Sequence, residues 1–260
     1  MKIVHFSDLH LSAAPDSPKA LFDKRLIGFL NGFLFRKQAY HPERIRKAIP
    51  MILNEKPDLI VFTGDATTCS QPAEFKLALE ILKPLIDSGI PILYTPGNHD
   101  CYVTDHKCVR ALREFRLALT GSESAPELFE TPECSFLIFH SAVPTNPLLS
   151  CGYFSQESED FLKKYIKTKT TVALSHFPVL NQEKGISGQR RKLYGADKIA
   201  PYLSNGTIEL LLCGHIHKPY EILDQNGHGE ICAGSLSKAG IFRVITIEKN
   251  NILVENKWIR

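Results

Sequence analysis

The sequence predicts an α/β protein in which two sheets pack together with helices on the outside, and three observations carry that expectation. Apolar, β-branched runs at Lys2 to Phe6, Leu59 to Thr63 and Ile90 to Thr95 alternate with stretches of helical periodicity, which is the grammar of βαβ units. Two further runs, Thr171 to Leu174 and Ile208 to Cys213, have the length and flanking of buried strands. Roughly the last fifty residues change character and read as short antiparallel strands around the hairpin signal Asp224-Gln225-Asn226-Gly227.

The elements follow in order. After the first strand, Lys19 to Tyr40 is rich in Phe and Leu and edged by basic residues. Pro42 to Asn54 reads as a helix, with proline at an early position and Ile45, Ala48, Ile49 and Ile52 at helical spacing. Asp58 to Phe62 is a strand. Gln71 to Asp87 is a helix with Phe75, Leu79 and Leu82 on one side, and Gly89-Ile90-Pro91 leads into the third strand. A helix over Lys107 to Leu119 and a turn-rich stretch, Thr120 to Glu133, precede a strand at Ser135 to Phe139. Gln156 to Lys167 is helical and Thr171 to Ser175 extended. The last strands are Tyr220 to Leu223, Glu230 to Ala233, Ile241 to Ile247 and Asn251 to Trp258.

Composition bounds the function. The chain has 260 residues, 43% of them hydrophobic, enough for one substantial core, and is read as a single domain over 1–260. A formal charge of +3 demands no nucleic acid or acidic partner. Seven cysteines form an odd set without a CxxC pair, which suits reduced thiols in a cytosol better than a disulfide framework. The N-terminus shows no signal-peptide pattern, and no apolar stretch reaches the roughly 18–20 residues of a spanning helix. The expected location is cytoplasmic, with peripheral contact at the inner face of a membrane as the variant.

The chemistry is concentrated in short segments that each follow an apolar run: Asp8-Leu9-His10, Gly64-Asp65, Gly97-Asn98-His99-Asp100, Ser175-His176 and Gly214-His215-Ile216-His217. Ligands are therefore expected where strands end and loops begin, the rim at which open α/β sheets form sites. On a strand end, Asp8 and His10 would share one side of the pleat, as would His215 and His217. A carboxylate such as Asp65 can bridge two ions, Asn98 offers a neutral oxygen and His176 another imidazole. Each element alone is a weak signal; the ordered set is a strong one.

These residues are similar to the motif set of the calcineurin-like metallophosphoesterases, over Met1 to about His217 and on toward the C-terminus. The resemblance implies a four-layer α/β/β/α sandwich of two mixed β-sheets flanked by helices. It implies Asp8, His10 and His217 as ligands of a first metal, Asp65 as the bridge, Asn98, His176 and His215 as ligands of a second, and His99 as the catalytic histidine. One departure is Thr68, where many relatives carry Asp or Asn; it bears on local hydrogen bonding. The Arg-Gly of protein Ser/Thr phosphatases is absent, as is the arginine that replaces the histidine of Gly-Asn-His-Asp in many lipid-precursor pyrophosphatases.

The expected reaction is hydrolysis of a small-molecule phosphate ester, with a phosphodiester or nucleotide-type substrate preferred, by a hydroxide bridging two divalent ions. Mn²⁺ or Fe²⁺ suits the Asp, Asn and His donors, with Zn²⁺ competing. His99 would protonate the leaving oxygen or stabilise phosphate charge, and Asp100 would either orient His99 or cap its turn. Arg190 and Arg191 are candidates to grip phosphate, against the alternative of a solvated basic face. Other functions weighed are DNA end processing, hydrolysis of a lipid-linked nucleotide and a non-catalytic scaffold of the same fold.

The stretch 19–40 carries two expectations. Phe22, Leu26, Phe29, Leu30 and Phe33 recur at helical spacing, with Lys24, Arg25, Arg36 and Lys37 nearby. Either the apolar stripe packs on the domain, or the stretch is an amphipathic lid contacting a lipid-bearing substrate and anionic membrane.

Overall fold

In a computed structural model describing residues 1–31, 39–123, 126–165, 169–183, 188–248 and 251–259, the odd and even residues of the central strands enter different cores. On β1 (Lys2–Phe6) and β2 (Leu59–Phe62), Ile3, Leu59 and Val61 face one side, and Val4, Ile60 and Phe62 face the other. Period-two alternation in strands buried on both faces gives this division. The helices are α1 (Lys24–Asn31), α2 (Pro42–Asn54), α3 (Pro72–Asp87), α4 (His106–Thr120), α5 (Gln156–Tyr165), α6 (Leu180–Glu183) and α7 (Ala200–Ser204). The remaining strands are β3 (Ile92–Tyr94), β4 (Glu127–Glu130), β5 (Cys134–Ile138), β6 (Gly152–Tyr153), β7 (Thr170–Leu174), β8 (Leu193–Tyr194), β9 (Leu210–Cys213), β10 (Tyr220–Leu223), β11 (Gly229–Cys232), β12 (Ile241–Glu248) and β13 (Asn251–Trp258).

A five-stranded sheet runs β13-β12-β1-β2-β3 and a six-stranded sheet runs β10-β11-β9-β7-β5-β4, with β6 and β8 pairing apart. Ile3, Val61 and Leu93 of the first sheet meet Phe136, Val172, Leu174 and Leu212 of the second in a core between the sheets. The outer face of the first sheet packs on α2, α3 and α4 through Ile45, Ile52, Phe75, Leu82 and Phe115. The outer face of the second packs on α5 and α7 through Leu162, Ala200 and Leu203. Three cores between four layers give the α/β/β/α sandwich the sequence predicts.

Two readings of the sequence need correction. The C-terminal strands pair antiparallel as expected, β10 with β11 and β12 with β13, but the two hairpins join different sheets, β11 in parallel with β9 and β12 antiparallel with β1. Sequence spacing cannot reveal which sheet a strand joins. The turn-rich stretch also holds β4, an edge strand pairing with β5, whose half-buried residues blur the alternation. Part of the lid stretch, including Phe33, Arg36 and Lys37, lies outside the described residues.

Candidate metal centre

The parallel strands β1, β2, β3, β7 and β9 all end at one rim, and the loops leaving them carry the motif residues. The mechanism that gathers them is not the pleat. Strand β1 ends at Phe6, and Asp8 and His10 both take left-handed backbone conformations, with φ of 58° and 47°. Asp65, His215 and His217 do the same, at 55°, 69° and 60°. Such conformations cost non-glycine residues of order 1–3 kcal/mol each and persist only where surroundings over-determine them. Here they do. Asp8 donates its N–H to the Gly64 carbonyl, its own carbonyl accepts from Ser235 and Ser237 Oγ, and its Oδ2 accepts from the His215 N–H. A Cβ on Gly214 would strike Ser7 Oγ and Asp8 Oδ2, so only glycine lets the last loop approach this carboxylate.

One donor atom from each of Asp8, His10, Asp65 and His217 lies within 4.8 Å of the others. His10 Nε2 faces His217 Nε2 at 2.9 Å, and Asp8 Oδ1 lies 3.1 Å from His217 Nε2. Asp65 Oδ2 stands 3.6 Å from His10 Nε2 and 3.4 Å from His176 Nε2, between two groups of imidazoles. Asp8 Oδ1, Asp65 Oδ2, Asn98 Oδ1 and His176 Nε2 are all buried without a hydrogen-bond partner. Buried polar atoms are ordinarily paired, so the orphans on Asp8, Asp65 and His176, with Asn98 on the adjoining loop before His99, mark the seat of something that completes them. Hard oxygens with imidazole nitrogens and no thiolate suit divalent cations.

The second group is gathered less tightly. His176 donates Nδ1–H to the Thr63 carbonyl at 2.6 Å, which leaves Nε2 toward Asp65. His215 points Nε2 at the Arg191 carbonyl at 3.1 Å and packs beside His176, with ring centroids 5.2 Å apart, leaving Nδ1 as its donor. His215 is outside the four-residue cluster.

Electrostatics follow from burial and proximity. Burial opposes ionisation of Asp8 and Asp65, but the histidines around them outweigh it and hold both below the usual carboxylate range. Burial also opposes charge on His176, yet Asp65 overrides it and raises the imidazole to about 9. His10, with burial dominant, falls to about 4.

His99 sits beside this cluster, its ring centroid 4.8 Å from that of His10. Its N–H donates to Asp65 Oδ1 at 2.7 Å, and its Nδ1 donates to the Thr68 carbonyl at 2.6 Å. Asp100 has both carboxylate oxygens engaged at the turn. It accepts from Gly97 N, Thr67 N and Tyr94 Oη, so the turn-capping role holds. Thr68 also donates Oγ1 to the His10 carbonyl, tying the departure from the family pattern to both motifs.

Sequence reasoning missed two neighbours and the way a third, Thr68, acts. Tyr40 Oη lies 3.1 Å from His217 Nδ1, and its ring packs edge-on against His10. Tyr102 stacks on His99, with centroids 5.3 Å apart. Thr68 acts on His99 through its carbonyl, which no side-chain pattern encodes. Arg190 is exposed; Arg191 is exposed too and donates Nη2 to the His215 carbonyl. Cys101, beside the loop, is no ready nucleophile, because burial pushes its thiol up. All seven cysteines stand outside any disulfide.

The family model for calcineurin-like phosphoesterases matches residues 1–219. The chain is 28% identical over 193 residues to a probable glycerophosphodiester phosphodiesterase GpdQ of Arcobacter nitrofigilis, covering 70% of this chain and 67% of that protein. It is 25% identical over 228 residues to a probable cyclic nucleotide phosphodiesterase of Rhodococcus erythropolis, covering 83% of this chain and 64% of that protein. In fold it resembles a dimetal phosphatase from Danio rerio, with a TM-score of 0.66 at 13% identity, covering 100% and 96% of the two chains.

Proposed function

The chain belongs to the calcineurin-like phosphoesterases, hydrolases of phosphoric ester bonds, and from that premise we propose that it hydrolyses small-molecule phosphodiesters at a two-metal centre. Residues 1–260 act as one domain on this reading, a view supported by β12 completing the sheet that β1 begins. The observation that carries the proposal is the convergence of Asp8, His10, Asp65 and His217, with orphaned carboxylate oxygens, at the strand rim. Asp8, His10 and His217 would hold one ion, Asn98, His176 and His215 the other, and Asp65 both. When bound, divalent ions supply Lewis acidity to phosphate oxygens and lower the pKa of water between them. Mn²⁺ or Fe²⁺ fits the donors, with Zn²⁺ the competitor.

The protein's own contribution is orientation and proton handling. The Thr68 carbonyl can only accept, so it keeps a proton on His99 Nδ1 and leaves Nε2 as the atom that gains and loses one. His99 would protonate the leaving oxygen from Nε2. Arg190, which is exposed, would meet a phosphate or its substituent on this reading; Arg191 instead braces the His215 loop.

The likenesses to a glycerophosphodiester phosphodiesterase and a cyclic nucleotide phosphodiesterase support the diester preference. A panel with Mn²⁺ tests it: bis(4-nitrophenyl) phosphate, glycerophosphodiesters, 3′,5′-cyclic AMP, 4-nitrophenyl phosphate and linear duplex DNA. The diester reading expects turnover of the small diesters above the monoester, abolished by chelation and restored by Mn²⁺. Preference for DNA would establish end processing instead, and full turnover after exhaustive metal removal would reject both.

A further inference from the structure

Helix α1 meets the rest of the protein through its polar side. Arg25 is 2% exposed and Gly28 is buried, whereas Leu26, Ile27 and Leu30 of the apolar stripe are exposed, so packing of that stripe on the domain is not what holds α1. The holding contacts lead instead to the segment that follows His99. Arg25 grips Asp23 through Nε and Nη2, stands 3.6 Å from Asp105 at the N-terminus of α4, and donates Nη1 to Cys108 Sγ. A Cβ on Gly28 would strike the Cys69 sulfur and crowd Tyr102 Oη, so the bare helix backbone comes down on both. Lys24 carries its ammonium 4.3 Å from the Tyr102 ring centroid, and the Thr145 carbonyl and Oγ1 accept from it at 3.2 and 3.1 Å.

Tyr102 is thereby held in place, 7% exposed, and its ring lies 11° from parallel with that of His99, the centroids 5.3 Å apart in an offset stack. This constraint differs in kind from a hydrogen bond. The bond from Nδ1 to the Thr68 carbonyl places one atom of the imidazole and does not by itself set the tilt of its plane. A stacked neighbour on the face, with the His10 ring lying at 84° to it, sets that tilt and hence the direction of Nε2. Proton delivery depends on this direction, because donor and leaving oxygen must meet at hydrogen-bond distance. We propose that Tyr102, backed by Lys24 and Gly28 of α1, is a positioning residue that aims His99 Nε2 at the leaving oxygen of the substrate. The inference rests on the phosphoesterase reading and deepens it, giving α1 a part in turnover that requires no contact with substrate.

The test compares ethyl 4-nitrophenyl phosphate with ethyl phenyl phosphate, diesters that differ in how much the departing phenol needs a proton, on the full chain with Mn²⁺. Tyr102→Leu removes the flat face and should lower kcat for the phenyl ester by roughly 10–100-fold, with a smaller loss on the nitrophenyl ester and with KM and bound metal as in wild type. Tyr102→Phe keeps the ring and should restore kcat. Because Tyr102 acts through His99, adding Tyr102→Leu to His99→Asn should slow the enzyme no further. In the metal-free protein, proton NMR should show the His99 ring signals, identified by their loss in His99→Asn, shifted upfield in wild type and Tyr102→Phe but not in Tyr102→Leu. Tyr102→Met, flexible and of similar bulk, replaces the leucine variant if that one fails to fold. The inference is overturned if Tyr102→Phe loses as much as Tyr102→Leu, if both esters suffer equally, if metal is lost with activity, if the two changes add in the double variant, or if wild type lacks the upfield shift. Hydrolysis of neither ester by wild type would instead reject the phosphoesterase reading, whereas an active wild type with an unimpaired Tyr102→Leu would reject the role of Tyr102 alone.

Discussion

Asp65 touches both halves of the centre, with Oδ2 near His10 and His176 and Oδ1 accepting the His99 N–H. Asp65→Asn should therefore deplete both ions, whereas His217→Ala should deplete mainly one. Metal counting on purified variants decides this, and equal loss from both would contradict the assignment. His99→Asn should keep metal content and slow turnover by roughly 10²–10⁴, with a smaller loss for substrates carrying good leaving groups if His99 supplies the proton. A loss independent of leaving-group pKa would point to charge stabilisation instead. Tyr40 is a positioning residue: its hydroxyl meets His217 Nδ1 and so fixes where Nε2 points. Tyr40→Phe should weaken affinity for one ion by roughly 10–100-fold, the usual cost of losing a partner behind a metal ligand. Unchanged metal titrations would remove Tyr40 from that role.

At the scale of one element, α3 is started by a buried carboxylate. Glu74 accepts the N–H groups of Cys69 and Gln71 at 2.9 and 3.1 Å, closing the loop that runs from Asp65 into the helix. Burial raises Glu74 to about 7, from an ordinary value of 4.5. The folded state therefore holds this proton where the unfolded chain has released it. Stability from this group is full below about pH 4.5 and falls as pH rises to about 7, by an amount on the order of 3 kcal/mol. Glu74→Gln can still accept both N–H groups and cannot ionise. Its denaturation midpoint should gain on wild type between pH 5 and pH 8. A pH-independent difference would show that Glu74 does not titrate in that window.

For the molecule as a whole, the rim joins residues from both sheets and from both ends of the chain, so ion binding should brace the entire fold. A ligand at about a hundred times its dissociation constant adds about 2.7 kcal/mol, or about 5–10 °C in melting temperature for a chain of this size. Calorimetry with and without Mn²⁺ measures it. The shift should vanish in Asp65→Asn; a shift of the same size in that variant would place the stabilising ion elsewhere. Among the described residues, no helix is long and apolar enough to cross a membrane.

The sequence by itself determined most of the strands, two packed sheets with helices outside and the residue types at the rim, because strand alternation and short motifs are local signals; the four-layer class came with the family resemblance. Asp8, His10 and Asp65 were legible since each follows an apolar run within a few residues. Tertiary structure alone decided how they meet. The left-handed turns at Asp8, His10, His215 and His217 replace the pleat that spacing suggests, held by hydrogen bonds from as far away as Ser237. The partners of His99 and His217 are a carbonyl and a tyrosine from other segments, at separations of 31 and 177 residues. The helical spacing of α1 identifies its apolar stripe equally well whether it faces in or out. What turned it outward is Arg25, whose partner Asp105 caps a helix far along the chain and whose burial no periodicity records.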